Sequence, residues 1–387
     1  MVEWKKLGEV CESSSNIRWK EQADDKSYKY IDLSSVSIET HSIENTTIIN
    51  KLTAPSRAQQ IVHTDDILLA TTRPTLKRFC QIPSSLDNNI CSTGFCIYRA
   101  NTLFVLSRWI FHNIGSCGFW EYCEKKQQGA SYPCLSNKDA FEYSIPIPSL
   151  EEQKRIVDIL DTFTDSIENL KQQIAQRRKQ FEHYRDQLLD LEGKPKEDIK
   201  KFGDYCTMIK GNGVQKTDFV DNGIGCIHYG QIYTHYGPFT FTTNKFVTKE
   251  VFEKARKASK GDIIMTDTSE NVEDICKSVA YLGEDDIAVS NHALIIKHEQ
   301  NPKFLSYSTQ TNSFFKQKQK CAYGVKVTGI KPEHLAKFKM YLPPLLEQQR
   351  IVSILDTFEA SISNLEAQLA QRQKQYEYYR NQLLTFE

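Results

Sequence analysis

The sequence predicts an α+β fold in which two similar mixed α/β domains are joined and spaced by two long antiparallel coiled-coil helices. Two observations predict this internal pseudo-two-fold repeat. The first is a duplication with an offset of about 195 residues, and the second is a heptad pattern that follows the globular part of each copy. With 387 residues, of which 40% are hydrophobic and 25% charged, the chain has the composition of a globular protein of several domains.

The duplication is clearest at the start of each predicted helix. Residues 150–163, LEEQKRIVDILDTF, recur as residues 345–358, LLEQQRIVSILDTF. The same offset relates KKLGE at 5–9 to KKFGD at 200–204. The copies also share short apolar runs that predict strands, at 66–69 and 262–265 and at 95–98 and 293–296. Similar ends with different interiors indicate one scaffold that carries two different surfaces, although duplication followed by drift remains an alternative.

Each duplicated segment predicts a coiled-coil helix, because apolar residues recur at alternating spacings of three and four. The predicted seam consists of Ile156, Leu160, Phe163, Ile167, Leu170 and Ile174 and of Ile351, Leu355, Phe358, Ile362, Leu365 and Leu369. Arg177 and Arg372 interrupt the two patterns at matching positions, and we expect them to snorkel or to meet acceptors across the pair. The second domain follows the first helix, so the second helix must run antiparallel to the first for the seams to pack. A helix of about 40 residues is about 60 Å long.

Prolines and glycines indicate where these segments begin and end. Pro148 precedes the first helix, Pro343 and Pro344 precede the second, and Gly193 and Pro195 follow the first. The predicted organisation is a first domain at 1–148, a first helix at 149–193, a second domain at 194–341 and a second helix at 342–387.

Charge and cysteine content restrict the class of protein. The chain has 49 Lys and Arg and 49 Asp and Glu, a balance that argues mildly against binding to nucleic acid. The charges are not evenly distributed, however, because the second domain has a basic excess and the helices have an acidic one. The eleven cysteines include no Cys-x-x-Cys pair, so buried free thiols in a reducing compartment are expected. The chain has no apolar run long enough to span a membrane and does not begin like a signal peptide, so we expect a cytoplasmic protein.

The sequence lacks the motifs of ATP-dependent motors, amino-methyltransferases and nucleases. No G-x-x-x-x-G-K-[ST] phosphate loop is present, and no Asn-Pro-Pro or Asp-Pro-Pro followed by an aromatic residue, as an amino-methyltransferase would need. We expect turns at 211–213 and 221–225, and a solvated acidic turn rather than nuclease carboxylates at Asp262 and 284–286. The sequence therefore predicts neither a catalytic site nor a metal site in this chain.

Several of these segments resemble one known family. IPIPSLEEQ at 145–153 and YLPPLLEQQ at 341–349 resemble the proline and Glu-Gln entry to the conserved helices of Type I restriction–modification specificity (S) subunits. WKKLG at 4–8 and GVKVTGI at 324–330 also resemble that family, and the resemblance covers the whole chain. It implies that the two domains are target-recognition domains, each reading one half of an asymmetric bipartite site. It also implies that the helices set the length of the unread spacer between the halves.

The resemblance further implies the partners of this chain. These are double-stranded DNA, two modification (methyltransferase) subunits that bind S-adenosylmethionine, and restriction subunits that use ATP and Mg, with no cofactor in this chain and no membrane. The chain would then be a non-catalytic, DNA-binding subunit of a cytoplasmic restriction system. Two alternatives stay open: a methyltransferase or nuclease fusion with recognition domains of this type, and a non-catalytic coiled-coil scaffold.

DNA contacts require Arg, Lys, Asn and Gln on loops, interleaved with aromatic residues. In the first domain the candidates are Arg73, Lys77, Arg78, Lys125, Lys126, Gln127, Gln128, Ser131 and Tyr132. In the second domain they are Lys210, Asn212, Gln215, Lys216, Lys316, Lys318, Lys320, Tyr323 and Lys326. A solvated surface charge is the alternative for each basic residue. The clusters near Lys125 and Lys320 are favoured because each precedes a matching glycine, whereas Trp109 and Trp120 are predicted to lie in the core.

Overall fold

The computed structural model describes residues 2–324 and 328–386, which form two compact units. Unit 1 contains the residues up to Gln173 and those from Leu365 onward, and unit 2 is Ile174–Asn364. The α-helices are α1 Leu7–Val10, α2 Ser107–Ile114, α3 Cys117–Lys126, α4 Asn137–Phe141, α5 Leu150–Leu189, α6 Tyr229–Thr234, α7 Lys249–Lys254, α8 Pro302–Ser308, α9 Asn312–Cys321, α10 Pro332–Leu335 and α11 Leu345–Leu383. Each unit thus combines a globule with part of α5 and part of α11. In the described part of the chain, none of the helices has the length and apolar character of a membrane span.

The globule of unit 1 is built mainly on antiparallel sheets. Its strands are β1 Glu3–Lys6, β2 Cys11–Glu12, β3 Ser15–Asn16, β4 Tyr28–Ile31, β5 Thr47–Ile49, β6 Ala58–Val62, β7 Ile67–Ala70, β8 Phe79–Gln81, β9 Asn89–Ser92, β10 Phe95–Ala100 and β11 Ser144–Ile147. Strand β1 pairs with β11, a second sheet has the order β2-β10-β7-β8, and a third has the order β3-β6-β9-β4-β5. The β4–β9 pair of the third sheet is parallel.

The globule of unit 2 follows a related plan. Its strands are β12 Ile199–Lys201, β13 Cys206–Lys210, β14 Phe219–Val220, β15 Ile224–Ile227, β16 Phe239–Thr240, β17 Lys245–Val247, β18 Lys257–Ala258, β19 Ile263–Thr266, β20 Thr268–Ser269, β21 Ser278–Tyr281, β22 Ile287–Val289, β23 Ala293–His298, β24 Thr328–Gly329 and β25 Lys339–Tyr341. The sheets have the orders β12-β25, β13-β23-β19-β21-β16, β14-β17-β15-β22-β18 and β20-β24.

The two globules share a scaffold but differ at its edges. The order β6-β9-β4-β5 in unit 1 corresponds to β18-β22-β15-β17 in unit 2, and each contains one parallel pair. The remaining strand lies beside β6 in unit 1, as β3, and beside β17 in unit 2, as β14. These are opposite edges of the shared four-stranded core. The four runs predicted as strands are confirmed in β7, β19, β10 and β23, although the runs at 66–69 and 262–265 begin one residue before their strands.

The apolar runs of β7 and β19 do not alternate because both faces of each strand are buried. In β7, Ile67 and Leu69 pack with the helices of unit 1, whereas Leu68 faces the core of the other sheet. In β19, Ile263 likewise packs with the helices of unit 2, whereas Ile264 faces a second core. Trp109 and Trp120 are buried in the core of unit 1, as predicted.

A buried glutamine attaches the start of each long helix to its globule. Gln153 accepts a hydrogen bond from the Leu106 amide at 3.0 Å, and its amide group donates to Phe104 O at 2.9 Å and Pro148 O at 3.0 Å. Gln348 accepts from the Asn301 amide at 3.0 Å and donates to Pro343 O at 2.8 Å. The Glu-Gln pattern at the helix entries therefore positions α5 and α11 because both glutamines satisfy backbone groups that burial removes from water.

A half-buried carboxylate makes a second matched attachment about two turns further along each helix. In unit 1, Asp161 accepts hydrogen bonds from Arg108 at 2.9 Å and from His112 at 2.7 Å. In unit 2, Asp356 accepts from Lys303 at 2.8 Å and from Tyr307 at 2.9 Å. Burial alone would raise the pKa of Asp161, but the hydrogen bonds from His112 and Arg108 outweigh it and hold that pKa below its usual value.

Within each unit, the start of one long helix packs antiparallel against the end of the other. The seam residues that are buried are Ile156, Leu160, Ile174, Ile351, Leu355 and Ile362, and those that are half-buried are Phe163, Ile167, Leu170, Phe358, Leu365 and Leu369. The two seam arginines, which we expected to snorkel or to meet acceptors across the pair, each lie over an aromatic ring of the other helix. The Arg372 guanidinium lies over the Phe163 ring at 5.6 Å, and that of Arg177 over the Phe358 ring at 5.9 Å, because a half-buried aromatic face attracts a cation without removing it from water.

Candidate nucleic-acid interface

In unit 1, the predicted contacts converge on the turn that follows β7. Residues Pro74–Leu76 form one 3-10 turn between Arg73 and Lys77, which have φ angles of +50° and +55°. The turn is closed by hydrogen bonds from the Leu76 amide to Arg73 O at 3.0 Å and from the Lys77 amide to Pro74 O at 2.8 Å. A left-handed conformation at a residue other than glycine costs about 1–3 kcal/mol and is concentrated at functional sites. The turn presents the side chains of Arg73 and Lys77 to solvent.

A short hairpin holds the second predicted cluster against this turn. Gln128 and Cys134 exchange backbone hydrogen bonds of 2.9 and 2.8 Å, and Cys134 also bridges to Thr72. The Arg73 amide donates to Pro133 O at 2.7 Å, and its guanidinium lies 4.6 Å from the centre of the exposed Tyr132 ring. Helix α3, which ends in the exposed Lys125 and Lys126, packs on the same turn. Gln128 and Ser131 are exposed here too, whereas Gln127 is half-buried.

In unit 2, one predicted cluster forms the loop after β13. Gly211 is required there because a Cβ at that position would collide with Ser290 O. The Asn212 side chain accepts from the Arg256 amide at 2.7 Å, and the Lys210 ammonium pairs with Asp267 at 2.8 Å. Gln215 and Lys216 are exposed in the same loop.

The second cluster of unit 2 approaches the first through Asp267. This residue precedes β20, which pairs with β24, and Gly329 of β24 exchanges hydrogen bonds of 3.1 and 2.8 Å with Tyr323. Tyr323, Lys316 and Lys320 are exposed. Lys326, also predicted as a contact, lies outside the described residues. Unit 2 thus presents exposed lysines, amides and a tyrosine on neighbouring loops.

Comparison with known proteins identifies the family. The model of the Type I restriction modification DNA specificity domain matches residues 1–177 and again residues 196–373. The chain belongs to this family. A specificity subunit is the DNA-recognition component of a Type I restriction–modification system and not a catalytic one.

Relatives and solved structures agree with this assignment. A putative specificity subunit of Haemophilus influenzae is 27% identical over 297 residues, with 72% of each chain covered. An Escherichia coli Type I restriction enzyme specificity subunit is 26% identical over 413 residues, with 100% of this chain and 94% of the relative covered. The S subunit structure from M. genitalium has a TM-score of 0.55 at 12% identity, with 100% and 97% covered. A chain from a structural study of Type I complex assembly and conformational transition has a TM-score of 0.64 at 22% identity, with 99% and 97% covered. The two structures support the fold.

One predicted contact of the specificity subunit points inward, and that prediction is corrected. The Lys318 ammonium is buried and donates to Glu273 O at 2.6 Å and Ile275 O at 2.9 Å, and burial lowers its pKa. Phe314 lies four residues earlier on the same buried face of α9, a spacing that could have identified Lys318 as a core residue. Arg78 is half-buried and donates to Leu33 O.

The structure also corrects the expectation for Asp262, which the sequence suggested to lie in a solvated acidic turn. Asp262 is not part of a solvated turn, because it is buried, accepts from the Ser259 amide at 2.6 Å and pairs with Lys297.

The exposed Asn291 and His292 were not predicted as contacts, yet Asn291 accepts from the Gly213 amide at 3.1 Å. His292 has φ +63°, and its ring is 5.3 Å from that of Tyr229. In the sequence these two residues are an Asn-His pair between two strands, a pattern that predicts only an ordinary turn.

Each of the eleven cysteines is free, and six of them are buried. The six are Cys80, Cys91, Cys96, Cys123, Cys226 and Cys276. Burial raises the pKa of the Cys276 thiol to about 12, so it is held as a neutral thiol. Within the described ranges, no group of three or more His, Cys, Asp or Glu side chains is placed to hold a metal ion.

Proposed function

We propose that this specificity subunit reads a bipartite, asymmetric site in double-stranded DNA, one half-site with each globule. The observation that carries the proposal is that matching loops of the two units present different side chains on one scaffold. Thr72 pairs with Cys134 in unit 1 as Thr268 pairs with Gly329 in unit 2, but the next residue is Arg73 in the first and Ser269 in the second. Different polar groups on one frame would read different bases.

The proposed recognition domains are residues 1–148 and 194–341, and the proposed spacer helices are residues 149–193 and 342–387. The helices would set the number of unread base pairs between the half-sites, as rigid spacers do in other DNA-binding proteins. Support comes from the attachments through Gln153, Gln348, Asp161 and Asp356, which leave little freedom between each globule and its helix.

The proposed contacts are the exposed residues of the two loop systems. In unit 1 they are Arg73, Lys77, Lys125, Lys126, Gln128, Ser131 and Tyr132, and in unit 2 Lys210, Asn212, Gln215, Lys216, Lys316, Lys320 and Tyr323. Asn291 and His292 join the second set because they border the loop of Asn212. Lysines would contact mainly phosphates, and the amides and Arg73 are suited to base edges.

We further propose that the chain acts in the cytoplasm with two modification subunits and with restriction subunits. The name of the Escherichia coli relative, a restriction enzyme subunit, supports such an assembly. S-adenosylmethionine, ATP and Mg would then bind to the partners and not to this chain. Calorimetry that detected stoichiometric S-adenosylmethionine binding to the isolated chain would contradict this assignment of the cofactors to the partner subunits.

The decisive experiment is selection from a pool of duplexes with randomised sequence, using the full chain co-purified with its modification subunit. The expected product is one motif of two conserved halves with a constant gap. Replacing residues 1–145 with the equivalent segment of a relative should change one half only. A pool without any shared motif would favour a coiled-coil scaffold, and methylation or cleavage by the chain alone would favour the fusion enzyme.

A further inference from the structure

The main chain of Arg73 is held in place by neighbours on both sides. Its φ of +50° is stabilised by the hydrogen bond that its amide donates to Pro133 O at 2.7 Å. The preceding residue, Thr72, bridges to Cys134, and the Leu76 amide donates to Arg73 O at 3.0 Å. The direction in which the side chain leaves the turn is therefore determined before any ligand binds.

The side chain of Arg73 is oriented by Tyr132. The guanidinium carbon lies 4.6 Å from the ring centre, and Tyr132 itself is 68% exposed. Across residues 2–324 and 328–386, no carboxylate forms an ion pair with Arg73. A guanidinium over an aromatic ring keeps its N–H donors available, because the ring attracts the cation without accepting its hydrogen bonds in the way a carboxylate does.

We infer that Arg73 reads a guanine in the half-site of unit 1, an inference that rests on the proposed function. The planar fork of an arginine matches the N7 and O6 acceptors of guanine in the major groove. A contact to phosphate needs only a positive charge, and the exposed Lys77 at the other end of the same turn supplies one. Orientation of Arg73 by Tyr132 gives the directionality that base recognition needs.

Unit 2 has a different residue at the corresponding place. Thr268 pairs with Gly329 as Thr72 pairs with Cys134, so Ser269 occupies the position of Arg73. A serine hydroxyl is short and uncharged, and cannot make a two-pronged contact to guanine. The contact is therefore specific to the half-site that unit 1 reads.

The test is selection from randomised duplexes by the full chain co-purified with its modification subunit. We expect Arg73→Ala to remove the preference for one G·C pair in one half-site, a loss of about 5- to 140-fold in discrimination. Arg73→Gln should shift that preference toward A·T, because glutamine pairs with adenine. The unchanged second half-site serves as the internal control for folding in both variants.

Three further variants separate base reading from charge and orientation. Lys77→Ala should weaken binding to all duplexes and leave the motif unchanged. Tyr132→Ala should reduce the preference for the same G·C pair, whereas Tyr132→Phe should retain it. An Arg73→Ala motif identical to that of the wild type would overturn the inference and leave the proposed function intact. A wild-type chain that selects no bipartite motif would overturn the proposed function itself.

Discussion

Phe163 stacks on Tyr379 in unit 1, with ring centres 5.3 Å apart and ring planes inclined by 26°. The same arrangement recurs in unit 2 between Tyr184 and Phe358, at 5.3 Å and 29°. An arginine from the seam lies over one ring of each stack. Each copy of the repeated helix therefore contains both an arginine in the apolar seam and the aromatic ring over which the arginine of the other copy lies. Such an arrangement favours one register of the two helices, because a shift by one turn would separate each arginine from its ring.

The first prediction concerns this arrangement. Arg372→Met and Phe163→Leu should show a coupling of about 1 kcal/mol in a double-mutant cycle of unfolding free energies, because either change removes the cation–π contact. The control cycle combines Phe163→Leu with Lys154→Met, since Lys154 pairs with Asp158 on the solvent side of α5. That cycle should be additive within about 0.3 kcal/mol. Equal coupling in both cycles would show that Arg372 has no special relationship with Phe163.

A second prediction tests the helices as a ruler. Insertion of one heptad near Gln172 in α5 and one near Gln368 in α11 preserves the seam and lengthens each helix by about 10 Å. Each half-site should keep its sequence while the unread spacer grows by about three base pairs, or by one or two if the helices are inclined to the DNA axis. Mapping of methylated genomic sites measures this. An active variant with an unchanged spacer would mean that the helices only connect the domains.

The third prediction concerns the exposed lysines of α9. Reversal of charge at Lys316 and Lys320 should weaken DNA binding and reduce the slope of log affinity against log salt by about one unit for each phosphate that a lysine no longer neutralises. Lys254 and Lys257 are the matched pair, since they are exposed in α7 and β18 of the same globule. Fluorescence titration at several salt concentrations compares the two. If both pairs have the same effect, α9 does not face the DNA.

Lys318 should behave differently from its neighbours on α9. Lys318→Met removes the hydrogen bonds to Glu273 O and Ile275 O, and should destabilise unit 2 by about 1–3 kcal/mol because the carbonyl of the buried Ile275 loses its donor. Thermal unfolding measures the loss, and Lys320→Met is the control with no expected change. DNA affinity measured well below the unfolding temperature should stay unchanged. A fall in affinity without a loss of stability would restore Lys318 as a contact.

The fifth prediction is a pH dependence of stability. Burial lowers the pKa of His112 to about 4, whereas an exposed histidine has a pKa near 6.5. The neutral ring donates to Asp161 and accepts from the Tyr376 hydroxyl at 2.9 Å. Above pH 6.5 both folded and unfolded states are neutral and the stability is complete. As the pH falls from 6.5 to 4, the unfolded state gains a proton that the folded state rejects, so up to about 3 kcal/mol is lost.

The variant that tests this is His112→Tyr, since Tyr307 occupies the matching position in unit 2. Its unfolding free energy should depend less on pH between 6.5 and 4 than that of the wild type. His235→Gln, at an exposed position, should keep the wild-type dependence. Chemical denaturation at intervals of half a pH unit gives the slopes. Parallel wild-type and His112→Tyr curves would mean that the pKa of His112 is the same in the folded and unfolded states.

The sequence by itself determined the duplication, the two long helices and the seam. These follow from the period of apolar residues, and that period is a local property because a helix places every third or fourth side chain on one face. The strands β7, β10, β19 and β23 were predictable because each contains a short apolar run, which is also a local property of the sequence. The family resemblance also came from short continuous motifs, which the helix entries retain because Gln153 and Gln348 each satisfy buried backbone groups.

Only the tertiary structure decided which candidate side chains reach solvent together. Lys316, Lys318 and Lys320 look alike in the sequence, and the loop at Glu273–Ile275 covers only the middle one. Arg73 and Tyr132 are 59 residues apart and meet because a hairpin closes on the turn after β7. Such contacts depend on pairing between distant segments, and neither composition nor periodicity along one segment contains that information.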